Sequence, residues 1–383
     1  MANILIINRR TDEFAEYDRY IDHDRHRVAY ITVPGWRAPQ EAYAVIRLES
    51  LDDAEAVMAA ATRCHAALGS LDTVLALSEL DVLAGARIRD LFGVPGLGER
   101  EMRRLRDKPA MKEAVRAAGL RVPDHALVRT PADVAAFAAG RDVMVKPRMG
   151  VGSVGCVRVP AGAAAPPLET CMEAEEFVPG PIWHVDGLMR AGARVLAKAS
   201  RYIGTCYDLL RGRPLGSAVQ SGPQADDVLR FAGACLKALD FETGAFHLEI
   251  IEAPDGLVFL EVGARVGGGP IPKVFRDVYG IDLFQEWIRL EMGEDVSPPA
   301  LPEGVCSGFL MVPGRPGRRV TRISSLAGRI EHLYAETLAL PGHEFTRDAD
   351  VDRVADFHFR APTPAAVEEA IAETLNAFDA AFA

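Results

Sequence analysis

The sequence predicts an α/β protein of two or three domains, and three observations lead to this fold class. The chain has 383 residues, which is too long for one ordinary core. In the first hundred residues short apolar strands alternate with helices, which indicates βαβ units and a parallel sheet. A proline-rich stretch at residues 297–304, SPPALPEG, then precedes a last segment with short strands and a closing amphipathic helix.

The elements of the first hundred residues follow from their composition and their end signals. Three apolar runs predict buried strands: NILIIN, HRVAYITV and LDTVLALS. A helix is predicted between Ser50 and Gly69, because serine favours a helix start and glycine a helix end. The first strand continues into NRRTDEF without a glycine-rich turn. This Rossmann-like layer therefore lacks the phosphate loop of a dinucleotide site.

Charge and cysteine usage exclude several classes of protein. A net charge of −11 argues against a sequence-independent nucleic-acid binder and against an anionic membrane surface as partner. The six cysteines are scattered and form no C-x-x-C motif, so neither a zinc site nor a disulfide framework is indicated. The N-terminal MANILIINRR predicts a strand rather than a signal peptide. We therefore expect a cytoplasmic protein.

A glycine-rich stretch at residues 143–159, VMVKPRMGVGSVGCVRV, contains a literal G-x-G-x-x-G from Gly150 to Gly155. A P-loop would need Lys-Ser/Thr after the last glycine, but Cys156 stands there and Lys146 precedes the glycines. A dinucleotide turn would need a following helix, whereas CVRVP predicts a strand. The stretch therefore predicts an antiparallel hairpin. It is either a lid over phosphates with Lys146 beneath it, or a flexible hairpin with a solvated lysine.

Two acids lie within otherwise apolar strands. FHLEI puts His247 and Glu249 on one face of a strand, and VFLEV carries Glu261. A hairpin turn at residues 254–256, Pro-Asp-Gly, would bring the two glutamates nearly opposite each other, although a slip of one residue would separate them. A magnesium ion between them would remove their repulsion. The alternative is that one acid lies exposed on an edge strand.

An arginine follows the second acid closely. Arg265 comes four residues after Glu261 and just before three glycines, Gly267–Gly269. Such an arginine could neutralise charge that develops on a transferred phosphoryl group. The alternative is a surface salt bridge.

The order of these motifs is more specific than any one of them. A helix with Asp107 as its predicted N-cap and Lys108 in its first turn is followed by the lysine strand, the glycine hairpin, EEFVPG, HLE and LEVGAR. This order resembles the ATP-grasp superfamily of carboxylate–amine ligases over about residues 1–300, and we expect the resemblance to extend over the whole chain. GAFHLEI with EVGARVGGG is most similar to the L-amino-acid ligase, or dipeptide synthetase, branch.

The resemblance implies an ATP-grasp fold with three parts. These are an N-terminal Rossmann-like domain at residues 1–100, an ATP-grasp domain at 101–300 with its lid at about 123–180, and a C-terminal α+β subdomain at 301–383. A homodimer is also expected from the family.

The resemblance also implies roles for individual residues. ATP would be contacted by Lys108, Lys146, Gly152, Ser153, Glu175, Glu176, Val178 and His184. Among these, Glu175 would take the adenine amino group, and Val178 would offer backbone groups to the ring. Glu249 and Glu261 would hold Mg²⁺, for which Mn²⁺ can substitute. Arg265 would stabilise the acyl phosphate, with Gly267 and Gly268 beside the substrate.

Two positions depart from the family pattern. Ile182 stands where the family often has a ribose-binding glutamate, so the ribose contact would either pass to His184 or be weaker. The alternative for His184 is an ordinary strand histidine. Gly263 stands where the family often has asparagine in Glu-x-Asn-x-Arg. This change removes an oxygen ligand of a second Mg²⁺ and leaves the first one unaffected.

These motifs predict an ATP-dependent ligase that converts an amino-acid carboxylate into an acyl phosphate and joins it to an amine, giving an amide, ADP and phosphate. The same activation with another acceptor, a carrier-protein thiol or a metabolic amine, remains an alternative. A dehydrogenase is disfavoured because a strand follows the glycines. A non-catalytic nucleotide-binding module is disfavoured because both lysines, both acids and the arginine occur together.

Overall fold

The computed structural model describes residues 1–10, 16–297, 301–346 and 352–383. The last residues of the NRRTDEF stretch, and residues 298–300 within the predicted proline-rich boundary, lie outside the described residues. Among the described helices, none combines the length and the apolar composition that crossing a bilayer requires.

The N-terminal part contains a four-stranded parallel sheet in the order β3-β2-β1-β4. The predicted parallel sheet is therefore confirmed. The predicted helix after Ser50 begins later, at Ala54, because the carboxylate of Asp53 accepts the backbone N–H of Ala56 and caps it. The elements are β1 (Asn3–Asn8), α1 (Tyr17–Tyr20), β2 (Arg27–Thr32), β3 (Ala44–Arg47), α2 (Ala54–Leu68), β4 (Thr73–Ala76) and α3 (Val82–Phe92).

Two helices, α4 (Glu99–Arg104) and α5 (Lys108–Ala117), lead into a second, antiparallel sheet of order β5-β8-β6-β7. Its strands β6 and β7 pair antiparallel on either side of the glycine loop, as the sequence predicts. No helix follows the glycines, which excludes the dinucleotide turn. The elements are β5 (His125–Val128), α6 (Pro131–Ala138), β6 (Val143–Pro147), β7 (Val157–Val159) and β8 (Met172–Glu176).

The third and largest sheet has eight strands in the order β13-β12-β9-β10-β11-β14-β17-β16. It continues across residue 300, since β14, β16 and β17 extend the sheet that begins with β9. Its strands are β9 (Ile182–Arg190), β10 (Ala193–Ile203), β11 (Leu215–Val219), β12 (Gly244–Ala253), β13 (Gly256–Gly263), β14 (Cys306–Pro313), β16 (Leu333–Leu338) and β17 (Arg353–Ala361).

Helices cover this sheet, and a small fourth sheet pairs β15 (Val320–Ile323) with β18 (Ala380–Phe382). The helices are α7 (Cys206–Leu209), α8 (Pro223–Ala238), α9 (Ile271–Tyr279), α10 (Leu283–Glu291) and α11 (Pro364–Ala377). One hydrophobic cluster joins the N-terminal sheet to the large sheet, from Ile6 and Tyr30 to Trp287 and Phe309. This shared core fixes the two parts against each other, so that their facing edges can build one site.

Candidate active site

Glu249 and Glu261 lie directly opposite each other on β12 and β13. From the turn at Ala253 and Gly256 the two strands pair regularly as far as Ile250 and Phe259, and the register then shifts by one residue. Without this bulge at Leu260, Glu249 would face Leu260 and Glu261 would lie on the other face of the sheet. The sequence predicted the facing pair but left the register open, and the bulge decides it.

Two lysines approach this acid pair. Lys108 Nζ lies 3.3 Å from Glu261 Oε2 and donates a 2.8 Å hydrogen bond to the carbonyl oxygen of Gly150 at the base of the glycine loop. Lys146 Nζ lies 3.9 Å from Glu261 Oε2 and 2.7 Å from Glu175 Oε1. Burial opposes the charged form of Glu261, but the lysines outweigh this effect and lower its pKa to about 2. Glu261 is therefore held in its ionised form beside the two lysines.

Lys108 is placed by the start of α5, although not in the way the sequence predicts. Asp107 does not cap the helix with its side chain. Its carboxylate instead forms an ion pair with Arg148, the residue that follows the lysine strand β6. The prediction of an Asp107 cap is wrong, because pairing with a nearby guanidinium satisfies the carboxylate instead. This ion pair fixes the start of α5 against the base of the glycine hairpin.

Lys112 belongs to the candidate site, although the sequence analysis did not single it out. It lies one turn after Lys108 on α5 and is fully buried, 2.8 Å from Glu173 Oε1 and 2.9 Å from Glu175 Oε2. Glu175 thus lies between Lys112 and Lys146. Burial raises the pKa of Glu175, but the two lysines outweigh it and the net shift is downward. The signals in the sequence were two lysines at i, i+4 on a helix and two glutamates at i, i+2 on a strand.

A cavity of about 250 Å³ lies beneath the glycine hairpin, and we call it the lid-side cavity. Its wall is apolar around Phe177 and Ile182 and charged around the acid pair. Such a division suits a flat base at one end and phosphates at the other. The predicted ATP-contacting residues that line it are Lys108, Lys146, Ser153, Glu175, Glu176 and Val178.

Glu175 also forms an ion pair that the sequence did not predict. Its carboxylate holds Lys146, so the position of that ammonium depends on Lys112 through Glu175. The predicted contact of Glu175 with an adenine amino group stays a prediction. Thr205 and Asp208 of the β10–β11 connection also line this cavity, as does Ile182. Neither was singled out from the sequence.

The structure does not bring His184 to the cavity. The side chain is buried, with Nδ1 2.6 Å from Asp186 Oδ2 and Nε2 2.7 Å from Ser217 Oγ. Its ring also stacks on Tyr202. Because both ring nitrogens have partners inside the sheet, the ribose contact predicted for His184 is not supported, and the ordinary strand histidine describes it better.

Asp186 links His184 to His247. The other oxygen of Asp186 lies 2.8 Å from His247 Nδ1. Burial lowers the pKa of His247, but the carboxylate of Asp186 outweighs burial and raises this pKa to about 9. These three side chains have the spacing of a metal site. Their ligand atoms are already used in hydrogen bonds, however, whereas the facing oxygens of Glu249 and Glu261 match the oxygen ligands that Mg²⁺ prefers. The acid pair is therefore the better metal position.

A second cavity, of about 340 Å³, lies on the other side of the acid pair. We call it the arginine-side cavity, because Arg265 and the glycines at 267–269 line it together with Glu249 and Glu261. A Cβ at Gly267 would collide with the carboxylate of Asp186, so this position requires glycine. Space remains around Gly268. Gly152, predicted to contact ATP, lines this cavity rather than the lid-side one, and Ser153 lines both.

Arg265 is not a surface salt bridge. Its Nε and Nη2 both lie 2.7 Å from Glu79 Oε2, and its Nη1 donates to the carbonyl oxygen of Val266. Arg106 holds the other oxygen of Glu79, and together the arginines lower the pKa of Glu79 against the effect of burial. One N–H on Nη1 and one on Nη2 remain for a ligand.

Glu79 was missed by the sequence analysis. It follows β4 at the carboxyl edge of the parallel sheet, the edge at which ligand-binding residues of such sheets commonly lie. That position was the available signal. Its contact with Arg265 joins the N-terminal sheet to the large sheet across the site.

Comparisons with known proteins agree with this geometry. No protein-family model matches the chain. It is 26% identical over 302 residues to an L-arginine-specific L-amino acid ligase of Bacillus subtilis, a match that covers 70% of this chain and 71% of that protein. It is also 24% identical over 322 residues to the uncharacterized protein y4rH of Sinorhizobium fredii, covering 75% of this chain and 63% of that one.

Two solved structures share the fold over nearly their whole length. An L-amino acid ligase from Bacillus licheniformis matches with a TM-score of 0.77 and 17% identity, covering 100% of this chain and 98% of that one. A carboxyaminoimidazole ribonucleotide synthase from Aspergillus clavatus, complexed with ATP, matches with a TM-score of 0.73 and 14% identity, covering 98% and 97%. The predicted ATP-grasp fold and the resemblance to carboxylate–amine ligases are confirmed.

Proposed function

We propose that this chain, an ATP-grasp carboxylate–amine ligase, activates the carboxylate of one amino acid with ATP and joins it to the amine of a second one. The observation that carries this proposal is the position of the acid pair. Glu249 and Glu261 form a wall shared by the lid-side cavity and the arginine-side cavity. A phosphoryl group held at this wall would have nucleotide on one side and a carboxylate on the other.

The lid-side cavity supplies the groups that ATP requires. Its apolar wall suits a base, and Lys108 and Lys146 bring two ammonium groups to the end where phosphates would lie. Bound Mg²⁺ would offset phosphate charge during transfer, held by Glu249 and Glu261. The glycine hairpin, with Ser153 in a left-handed conformation at φ 61°, would cover the phosphates and exclude water.

The arginine-side cavity supplies the groups that the carboxylate requires. The carboxylate oxygen attacks the γ-phosphorus, the bond from that phosphorus to the bridging oxygen of ADP breaks, and an acyl phosphate forms. Arg265, oriented by Glu79, would donate its two remaining N–H groups to the negative oxygens. The amine then attacks the carbonyl carbon, loses a proton, and phosphate leaves with the former carboxylate oxygen.

The second substrate is proposed to be an amino acid because two similar proteins are named L-amino acid ligases. A thiol of a carrier protein or another metabolic amine would use the same activation. The homodimer and the cytoplasmic location expected from the sequence stay predictions.

A substrate matrix tests this function. Purified protein is mixed with ATP, Mg²⁺ and pairs of amino acids, ADP release is followed, and products are identified by mass spectrometry. We expect ADP release to require an amino acid and Mg²⁺, and the product to be a dipeptide formed in equal amount with ADP. Release of ADP at the same rate without any amino acid, or AMP as the product, would contradict the proposal.

A further inference from the structure

The arginine-side cavity has an apolar floor. Six buried side chains from five elements form it, each at most 7% exposed: Tyr17 of α1, Leu209 of α7, Leu215 of β11, Phe284 of α10, and Phe309 and Met311 of β14. All six belong to the hydrophobic cluster that joins the N-terminal sheet to the large sheet. Because the floor is part of this packed core, its shape is fixed by both parts of the molecule.

Each acidic side chain that lines this cavity, among the described residues, already has a partner within the protein. Among the described residues that line it, the acids are Glu79, Glu249 and Glu261. Glu79 is held by Arg106 and Arg265, and Glu261 lies 3.3 Å from Lys108. The remaining acid, Glu249, faces Glu261 and lies 3.5 Å from His247. A cationic substrate side chain would find no acid there without a partner.

Burial energetics on this floor then favour an apolar side chain over a cationic one; the arginines that also line the cavity, Arg10, Arg265 and Arg353, are not among the six floor residues. A guanidinium or ammonium placed on this floor would lose its hydration and gain no partner, which is costly. An apolar side chain would instead replace water against buried leucine, phenylalanine and methionine surfaces, which is favourable. The α-carboxylate of the same molecule can meanwhile approach Arg265 at the acid-pair wall of the same cavity.

We infer that the amino acid whose carboxylate is activated carries an uncharged apolar side chain, of the class of leucine, methionine or phenylalanine, seated on this floor. This inference rests on the proposed function. It separates the chain from its Bacillus subtilis relative, whose name specifies arginine.

The wild-type protein provides the first test. Amino-acid-dependent ADP release is measured with leucine, methionine and phenylalanine, and in parallel with arginine, lysine and glutamate, each paired with the same acceptor. We expect kcat/KM to be at least about tenfold higher for the best apolar amino acid than for any charged one, as hydrophobic pockets typically discriminate. Arginine, lysine or glutamate as the best substrate would overturn the inference and leave the proposed function standing. A response to no amino acid at all would overturn both.

A pair of methionine variants provides the second test. Met311 Sδ would lie 3.0 Å from a Cβ at Gly269, so Met311 packs directly against the glycine segment beside Arg265. Met311→Ala enlarges the floor and is expected to raise the ratio of kcat/KM for phenylalanine over alanine by about tenfold. Met189→Ala is the matched control, because Met189 is also 6% exposed but lines neither cavity.

Both variants lose a buried methionine side chain, and their thermal stabilities are expected to fall by similar amounts. Only Met311→Ala should change the substrate ratio. A folded, active Met311→Ala protein with the wild-type ratio would overturn the assignment of the floor to the substrate side chain.

Discussion

The two cavities on either side of the acid pair are built by different means. The lid-side cavity is charged around the acid pair and apolar around Phe177 and Ile182, and it is made from one continuous part of the chain, from α5 to β13. The arginine-side cavity has an apolar floor and combines the N-terminal sheet, the β10–β11 connection and the C-terminal strand β14. Phosphates are alike in every ATP-dependent enzyme, whereas amino-acid side chains differ, so fixed charges suit the first cavity and an assembled shape suits the second.

This division makes kinetic effects separable. A change in the shared wall of Glu249 and Glu261 should lower the rate whichever substrate is limiting. A change on one side should alter mainly the KM of the substrate on that side. Variants at four positions, Glu261, Arg265, Lys112 and His358, are taken in order of decreasing effect on turnover.

The largest effect is expected for Glu261→Gln, which removes a charge from the shared wall. We expect kcat to fall roughly 100- to 1,000-fold, as when a fixed electrostatic group is lost from a phosphoryl-transfer site. Steady-state ADP release measures it. Glu252→Gln is the control, since Glu252 lies three residues beyond Glu249 on β12, lines neither cavity and contacts Trp183 instead. Intact turnover in Glu261→Gln would contradict the site.

A smaller effect on one side only is expected for Arg265→Ala. Loss of the guanidinium removes the donors proposed for the carboxylate, so kcat/KM for the amino acid should fall about 100-fold. The KM for ATP should change by less than about threefold, because Arg265 does not line the lid-side cavity. Substrate-saturation curves for both substrates measure the two effects. Equal changes in both KM values would show that the cavities are not separable at this residue.

An effect on the ATP side only is expected when Lys112 is replaced. Lys112→Met alone leaves two buried glutamates short of a cation and should destabilise the fold by about 3–5 kcal/mol. Lys112→Met with Glu173→Gln removes one charge of each sign and should recover most of that stability. Its KM for ATP should still rise about tenfold, because Glu175 then holds Lys146 without support from Lys112.

The double variant separates positioning from stability. Thermal unfolding and the KM for ATP are measured on both variants and on Lys112→Arg, which keeps the charge. Recovery of stability together with a wild-type KM for ATP would mean that Lys112 has only a structural role.

The smallest effect on turnover is expected at His358 on β17, which pairs with Phe309 across the sheet but lines neither cavity. Burial lowers the pKa of this histidine to about 4, so the folded protein resists its protonation. In the unfolded chain the pKa of a histidine is near 6.5, so above pH 6.5 the free energy of unfolding is not reduced by this group. As the pH falls from 6.5 towards 4 the unfolded chain takes up the proton first, and the free energy of unfolding falls by about 3 kcal/mol. His358→Gln should flatten the pH dependence of the urea-unfolding free energy in this range, with kcat at pH 7 within about twofold. An unchanged slope would contradict this.

The lid-side cavity was the more predictable of the two from sequence. The glycine hairpin, its antiparallel strands and the facing acids could be predicted because strand periodicity and turn residues are local signals. The bulge at Leu260 could not, since its position depends on the packing of the whole hairpin. Lys112 escaped notice because a lysine on an amphipathic helix usually faces solvent, and only the tertiary fold places Glu173 and Glu175 around it.

The arginine-side cavity could not be predicted in the same way, because it depends on contacts between residues that are distant in the sequence. Glu79 and Arg265 are 186 residues apart in sequence, and their ion pair exists only because the N-terminal sheet packs on the large sheet. The floor residues look like ordinary core residues in the sequence for the same reason. His184 was predicted as a ligand because it stands near the expected ribose position, but Asp186 and Ser217 hold it inside the sheet.

Isotope transfer from the substrate carboxylate tests the central claim most directly. The amino acid is labelled with ¹⁸O in both carboxylate oxygens, and the released phosphate is analysed by mass spectrometry. If an acyl phosphate forms at the wall between the two cavities, each phosphate should carry one ¹⁸O and the amide carbonyl should keep the other. Unlabelled phosphate released together with the amide product would show that the carboxylate is not activated in this way.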